Sequence, residues 1–344
     1  MHEVARELLK VSTPKIPRRS GSLEDRILAI FLNPNIRFGP QSFIVNSRAE
    51  WLDRIRYFTK RKKRIELTIL GFPFKTPVTL KTNRTLPDLG EVLMLQRLHI
   101  ITNLVGKVYP KGCRLTVFTE GPFAPFAHVT PGEARRYQRS LQYLAKIFSL
   151  TDTLRIIDLG SSERRVPGFR KAFTQKCQEF AALHARKERD FMKKYSSAFS
   201  SVFHIVNVRN VPEGMVRAAY RAYDGQRPIS REANKLLRRL TVQTTRALIQ
   251  YFAYLRLRDE FRLIPRAVPH ALPLTVSPKQ GRLGVLPINR ATQILPTHGV
   301  PVYDTKRKCF SIRYLDDLRW ENRSISKIYV SGDAEKLPFY YRVY

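Results

Sequence analysis

The 344-residue sequence predicts an α/β fold: a Rossmann-like, mainly parallel sheet flanked by helices, with a β-rich C-terminal portion. Three observations predict it. A strand–helix–strand pattern lies between Arg64 and Thr119, helices and short apolar strands go on alternating to Leu257, and short β-like pieces dominate from Leu272 onward. A strand, a helix and a second strand in that order form a βαβ unit, which requires parallel strands and a right-handed crossover.

Each element has a local reason. After an arm rich in proline, arginine, serine and glycine (residues 1–22), Leu23–Leu32 reads as a helix. Arg64–Leu70 alternates, with Ile65, Leu67 and Ile69 on one face, as a half-buried strand does. It runs into Gly71-Phe72-Pro73-Phe74-Lys75-Thr76-Pro77, whose two prolines forbid a regular continuation. Asp88 opens a helix with Val92, Leu95, Leu98 and Val105 at helical spacing, and Cys113–Thr119 is β-rich again. Tyr137–Phe148 predicts a helix, Leu154–Leu159 a strand, Phe169–Met192 a long polar helix, Val202–Val208 a strand and Ser230–Leu257 a second long helix. Leu272–Val276, Leu283–Leu286, Cys309–Tyr314 and Ile328–Val330 are the short β pieces. The organisation expected is a flexible basic arm at 1–22 and a single domain at 23–344, β-rich from about residue 270.

Composition narrows the function. A hydrophobic fraction of 43% supports a packed core, and no run reaches the roughly 18 apolar residues that a membrane span needs. Three scattered cysteines without a CxxC pair exclude a disulfide framework and a cysteine-built zinc site, and they fit a reducing compartment. Glu3, Arg6, Glu7 and Lys10 interrupt the first apolar residues, so a signal peptide is not expected and a cytoplasmic location is. Lys and Arg number 62 against 28 Asp and Glu, a formal net charge of +34. Such a charge attracts anionic partners, nucleic acid included, but it is spread along the chain apart from Lys60-Arg61-Lys62-Lys63-Arg64.

Candidate chemistry collects where strands end, because ligands of open α/β sheets bind beyond the carboxyl ends. Lys75 follows the first strand and could hold a phosphate or carboxylate; a plain surface lysine on a rigid turn fits as well. Asp88 and Glu91 have the spacing of a capping box, which alone explains both, although Glu91 could also serve as a base. Glu120 follows the second strand, where a carboxylate takes a proton or orients an ammonium group. Gly160-Ser161-Ser162, leading to Arg164 and Arg165, is a weaker candidate phosphate cradle. His128 and His298 sit in Pro- or Gly-containing loops near strand ends, and no two histidines have metal-ligand spacing.

The segment Gly71–Pro77, followed by Leu86-Pro87-Asp88-Leu89-Gly90-Glu91 and by Arg97-Leu98, resembles the isocyanide (isonitrile) synthase family, which includes the pyoverdine- and dityrosine-biosynthesis proteins. That family carries G-F-P-F-K-S-P, L-P-D-L-G-E and R-L; Tyr109–Cys113 resembles its Y-P-P-G-A and Thr119-Glu120-Gly121 its S-D-G. The resemblance extends loosely from about residue 25 to residue 320. It implies an enzyme that converts the amino group of tyrosine or tryptophan to an isonitrile or an N-formyl group. Ribulose 5-phosphate would supply the carbon, with no metal or organic cofactor. It further implies Glu91, Glu120 and His298 as catalytic residues, and Phe74, Lys75, Lys81, Asp88 and Arg97 as substrate-binding ones. The chain departs from the pattern at its C-terminal end. R-L-S-I-H-P is replaced by Pro273-Leu274-Thr275-Val276-Ser277-Pro278, and T-P-W-H by Leu295-Pro296-Thr297-His298. The alternative is a diverged member that binds an anionic partner such as nucleic acid.

Overall fold

A computed structural model describes residues 21–207 and 231–344, except 77, 128, 278, 291 and 293. Most of the expected basic arm, and His128, therefore lie outside the described residues. Ser22 caps the first helix, α1 (Leu23–Phe31), its hydroxyl accepting the Asp25 backbone N–H at 3.1 Å. Helix α2 (Gln41–Lys60) was not expected from the pattern. Its buried positions Ile44, Ser47, Trp51, Ile55 and Phe58 keep helical spacing, but charged residues fill the turns between them.

The βαβ unit is present as predicted. Strand β1 (Ile65–Gly71), helix α3 (Leu89–Val108) and strand β2 (Cys113–Thr119) place β1 beside β2 in parallel, with Ile65 opposite Cys113 and Gly71 opposite Thr119. A 3-10 turn (Gly121–Ala127) and helix α4 (Pro131–Ile147) lead to β3 (Leu154–Asp158), and the one-turn helix α5 (Gly160–Glu163) follows. Beyond three long helices, the short α9 (Leu263–Ala267) precedes β4 (Leu272–Thr275) and β5 (Leu283–Gly284). The sheet order is β3-β2-β1-β4-β5 with every pairing parallel. Strand order reverses between β1 and β4, so the ligand crevice of such a sheet belongs beside that boundary. The main core joins α1, α2, α3 and α4 to these strands through residues such as Ile27, Trp51, Leu67, Leu95 and Leu115.

Two expectations are corrected between β3 and β4. The Phe169–Met192 helix is broken into α6 (Phe169–Ala185) and α7 (Arg189–Asn207), with Lys187 at φ 54 turning the chain. The strand expected at Val202–Val208 is instead the last turns of α7 as far as Asn207. Phe199, Val202, Phe203 and Val206 repeat at helical spacing and bury against Leu240, Ala247 and Leu248 of α8 (Arg231–Glu260). A short apolar run reads equally as strand or helix until its partner is known.

The C-terminal portion divides. Its first two strands join the main sheet, and β6 (Val300–Asp304), β7 (Cys309–Arg313), β8 (Ile325–Ile328) and β9 (Tyr340–Val343) form a separate mixed sheet ordered β7-β6-β9-β8. Strand β6 is interior yet contains Pro301, a residue that argues against a central strand, which hid it from the sequence pattern. This sheet packs on the start of α3, where Ile312, Phe339 and Tyr340 meet Leu89, Val92 and Leu93. Gly90 permits the approach: a Cβ there would lie 3.0 Å from Ile312 Cδ1.

Candidate active site

Two polar centres flank the carboxyl ends of β1 and β2, and they differ in access to solvent. The first is sealed. The Lys75 ammonium sits 2.8 Å from Asp88 Oδ2, 3.0 Å from Glu91 Oε2, 3.1 Å from Glu91 Oε1 and 2.9 Å from the Pro296 carbonyl. The side chains of Lys75 and Glu91 are wholly buried and that of Asp88 is 1% exposed. The capping box exists as well: Gly90 N–H donates to Asp88 Oδ1 at 2.8 Å, and Asp88 N–H to Glu91 Oε2 at 3.0 Å. Capping and charge pairing therefore use the same two carboxylates. The buried Tyr137 hydroxyl donates to Glu91 Oε1 at 3.1 Å. Burial pushes the Glu91 carboxyl up to about 8, against the pull of the Lys75 ammonium and with the Asp88 charge adding to the rise.

The wall of this centre is the stretch that precedes β6. Thr76 N–H donates to the Thr297 carbonyl at 2.8 Å, and the Thr76 hydroxyl meets His298 Nδ1 at 3.1 Å. Burial, with the charges of Lys81 and Lys75, holds the His298 imidazole down to about 4, so it is neutral at pH 7. Lys81 is half-buried, its ammonium 5.3 Å from the Tyr314 ring centroid, and burial lowers its pKa. Five of the predicted site residues, Lys75, Lys81, Asp88, Glu91 and His298, thus gather here. Lys75 is hemmed in by carboxylates and a carbonyl, so it anchors this cluster and has no open face for a phosphate.

The second centre is open. Glu120, one residue past β2, accepts a hydrogen bond from Arg258 Nη1 at 3.2 Å and keeps 19% of its side chain exposed. Burial raises its carboxyl pKa, opposed by Arg258, Lys279 and Arg282. Arg258 is itself nearly buried, with its other nitrogens 3.0 and 3.4 Å from Asp259. The Phe74 ring lies between the centres and stacks on Phe123 at 5.7 Å; Phe123 meets Tyr251 at 4.6 Å. Phe74 is buried among Ala124, Ala127 and Val129, so it belongs to the partition.

Arg97 stands apart from both. It lies more than a turn further along α3 than Glu91, buried, and its guanidinium donates to the Asn35 carbonyl. The resemblance implies Arg97 as a substrate-binding residue alongside Lys75, and its placement sets the two apart: helical rotation turns position 97 away from position 91. Conversely, the pattern missed Tyr137, Arg258, Lys279 and Arg282. Lys279 and Arg282 were findable, since their loop follows the carboxyl end of β4. Arg258 lies in an arginine-rich helix with nothing local to single it out. Of the Gly160-Ser161-Ser162 segment, the two serines, with Arg155, Arg165 and Arg266, line a cleft of about 370 Å³. Among the described residues no group of His, Cys, Asp and Glu has the arrangement of a metal site, and no helix is long and apolar enough to cross a membrane.

Comparison with known proteins gives these residues a context. A family model for pyoverdine/dityrosine biosynthesis proteins matches residues 55–314. An L-tryptophan isonitrile synthase of Fischerella ambigua, AmbI2, is 29% identical over 34% of this chain and 38% of its own length. The L-tyrosine isonitrile synthase of Xenorhabdus nematophila is 30% identical over 33% of each chain. The spore wall maturation protein DIT1 of Saccharomyces cerevisiae is 38% identical over 22% of this chain and 14% of its own. The matches thus span between 14% and 38% of the length of these curated relatives. The crystal structure of the PvcA protein from Pseudomonas aeruginosa superposes with a TM-score of 0.63 at 20% identity, covering 94% of this chain and all of that one, which establishes the shared fold.

Proposed function

The chain belongs to the pyoverdine/dityrosine biosynthesis protein family, and from that premise we propose that it is an isonitrile synthase-like enzyme acting on the amino group of tyrosine or tryptophan, with ribulose 5-phosphate as co-substrate. The named activities of its relatives support the amino acid class. The observation that carries the assignment of roles is the Glu120–Arg258 pair at the carboxyl end of β2, partly open to solvent.

Chemistry on a substrate needs a group that the substrate can touch. Glu120 meets that requirement, and its raised pKa keeps a protonated fraction available closer to neutral pH. The amine lone pair forms the new C–N bond to the ketone carbon of the sugar phosphate while the Glu120 carboxyl gives its proton to the ketone oxygen. The surplus proton on nitrogen then returns to the carboxylate, a second transfer to oxygen expels water and leaves the protonated imine, and the remaining N–H proton passes back to the carboxylate to give the neutral imine. Arg258 is the positioning residue that holds Glu120. Lys75, Asp88, Glu91 and Tyr137 fix the adjoining wall from inside, and the neutral His298 completes it.

The test is to incubate the purified protein with ribulose 5-phosphate and a mixture of all amino acids and to analyse the products by mass spectrometry. An isonitrile or N-formyl derivative of tyrosine or tryptophan is expected. If no amino acid is converted and no phosphate is released, the enzymatic reading is wrong and the binding of an anionic partner becomes the better account.

A further inference from the structure

A cleft of about 320 Å³ is lined by Thr68–Leu70 of β1, by Pro273 and Leu274 of β4 and by Gln280–Arg282 of the loop after β4, at the boundary where the strand order reverses. Four guanidinium groups line it: Arg54, Arg258, Arg262 and Arg282. Their charges are not equally answered. Arg54 is paired with Glu50 at 2.9 Å and donates to the Ala271 carbonyl, and Arg258 is held by Glu120 and Asp259. Among the described residues neither Arg262 nor Arg282 has an ion-pair partner. The acid that lines the cleft, Asp259, is already taken by Arg258. Pro273, which replaces the arginine of the family pattern, also lines it and adds no charge.

We propose that this cleft binds the phosphate group of a phosphate monoester, with Arg262 and Arg282 as its two principal ligands and Arg258 as the link to Glu120. A monoester phosphate carries close to two negative charges at neutral pH, which two unanswered guanidiniums match. Their planar forks suit its oxygens. Lys279 adds to the positive field: its ammonium and the Arg282 guanidinium are both depressed, first by burial and then by neighbouring arginines, with Asp259 and Glu120 offsetting only part of the effect. Arg258 lines this cleft and also donates to Glu120, so it links an anion seated there to the carboxyl that would act on it. That last step rests on the proposed synthase activity; the phosphate site does not.

Isothermal titration with ribulose 5-phosphate, inorganic phosphate and unphosphorylated ribulose tests it, on the wild type and on R262Q, R282Q and the double variant. Both phosphate ligands should bind the wild type, ribulose should bind at least tenfold more weakly, and the double variant should lose about tenfold to a hundredfold in affinity for both phosphates. Inorganic phosphate binding as tightly as the ester marks a site for phosphate alone; a tighter ester marks one for the sugar phosphate. Absence of phosphate binding to the wild type, or unchanged affinity in the double variant, overturns the proposal. Arg262 is exposed, so R262E keeps the test open if an Arg282 variant does not fold. A cleft that binds phosphate in a protein that makes neither an isonitrile nor an N-formyl product overturns the synthase reading alone. Product formation with an unchanged KM for ribulose 5-phosphate in the double variant overturns the cleft alone.

Discussion

The two polar centres contain the same kinds of groups and use them in opposite ways. Around Lys75 every charge is buried and answered within hydrogen-bonding distance. Around Arg258 the positive charge exceeds the negative, and the groups border a cleft. A neutralised, dehydrated cluster is costly to break and has nothing left to offer a ligand; an unbalanced cluster at a cleft adds little to folding and is available for binding. The residues most conspicuous in the sequence motif therefore hold the polar core in shape, and less conspicuous ones border the open cleft.

The contrast predicts unequal responses to mutation. Lys75→Met should be the most damaging, because it leaves the buried Asp88 carboxylate without its counterion; a loss of about 3–5 kcal/mol in urea unfolding is expected. A change below 1 kcal/mol would mean that the centre is hydrated and the contrast is false. Tyr137→Phe removes the hydroxyl donated to Glu91 Oε1 and should cost about 1–3 kcal/mol by the same measurement.

His298 gives a pH-dependent version of the test. Its folded pKa near 4 lies below its unfolded 6.5, so the unfolded chain takes up a proton that the folded chain refuses. Stability should fall as the pH drops from about 6.5 to 4, and His298→Gln should flatten that fall. Urea midpoints at pH 7 and pH 5 that drop equally in both proteins would show the imidazole to be freely hydrated. The smallest effect belongs to the open centre: Arg282→Ala should change stability by no more than about 0.5 kcal/mol. A large loss there would make Arg282 part of the scaffold.

Legibility followed the same divide. Period-two and period-3.6 patterns in β1, α3 and β2 specify the βαβ unit because those elements bury nearly complete apolar faces. Strand β6 and the end of α7 were not legible: Pro301 masks an interior strand, and Val202–Val206 acquires helical meaning only from its contact with α8. At the site, motif residues within one loop and one helix start, Lys75, Asp88 and Glu91, were found because they are local in sequence. Arg258 and Glu120 are separated by 138 positions, so their pairing exists only once α8 has folded across the sheet.

The most direct test of the central claim is steady-state kinetics with uniformly carbon-13-labelled ribulose 5-phosphate, comparing wild type with Glu120→Gln. The wild type is expected to transfer one labelled carbon to the nitrogen of tyrosine or tryptophan. Glu120→Gln should lose at least about a hundredfold in kcat, the scale of general acid–base catalysis, with little change in the KM for ribulose 5-phosphate. A wild type that yields no labelled product, or a Glu120→Gln variant that turns over at the wild-type rate, would contradict it.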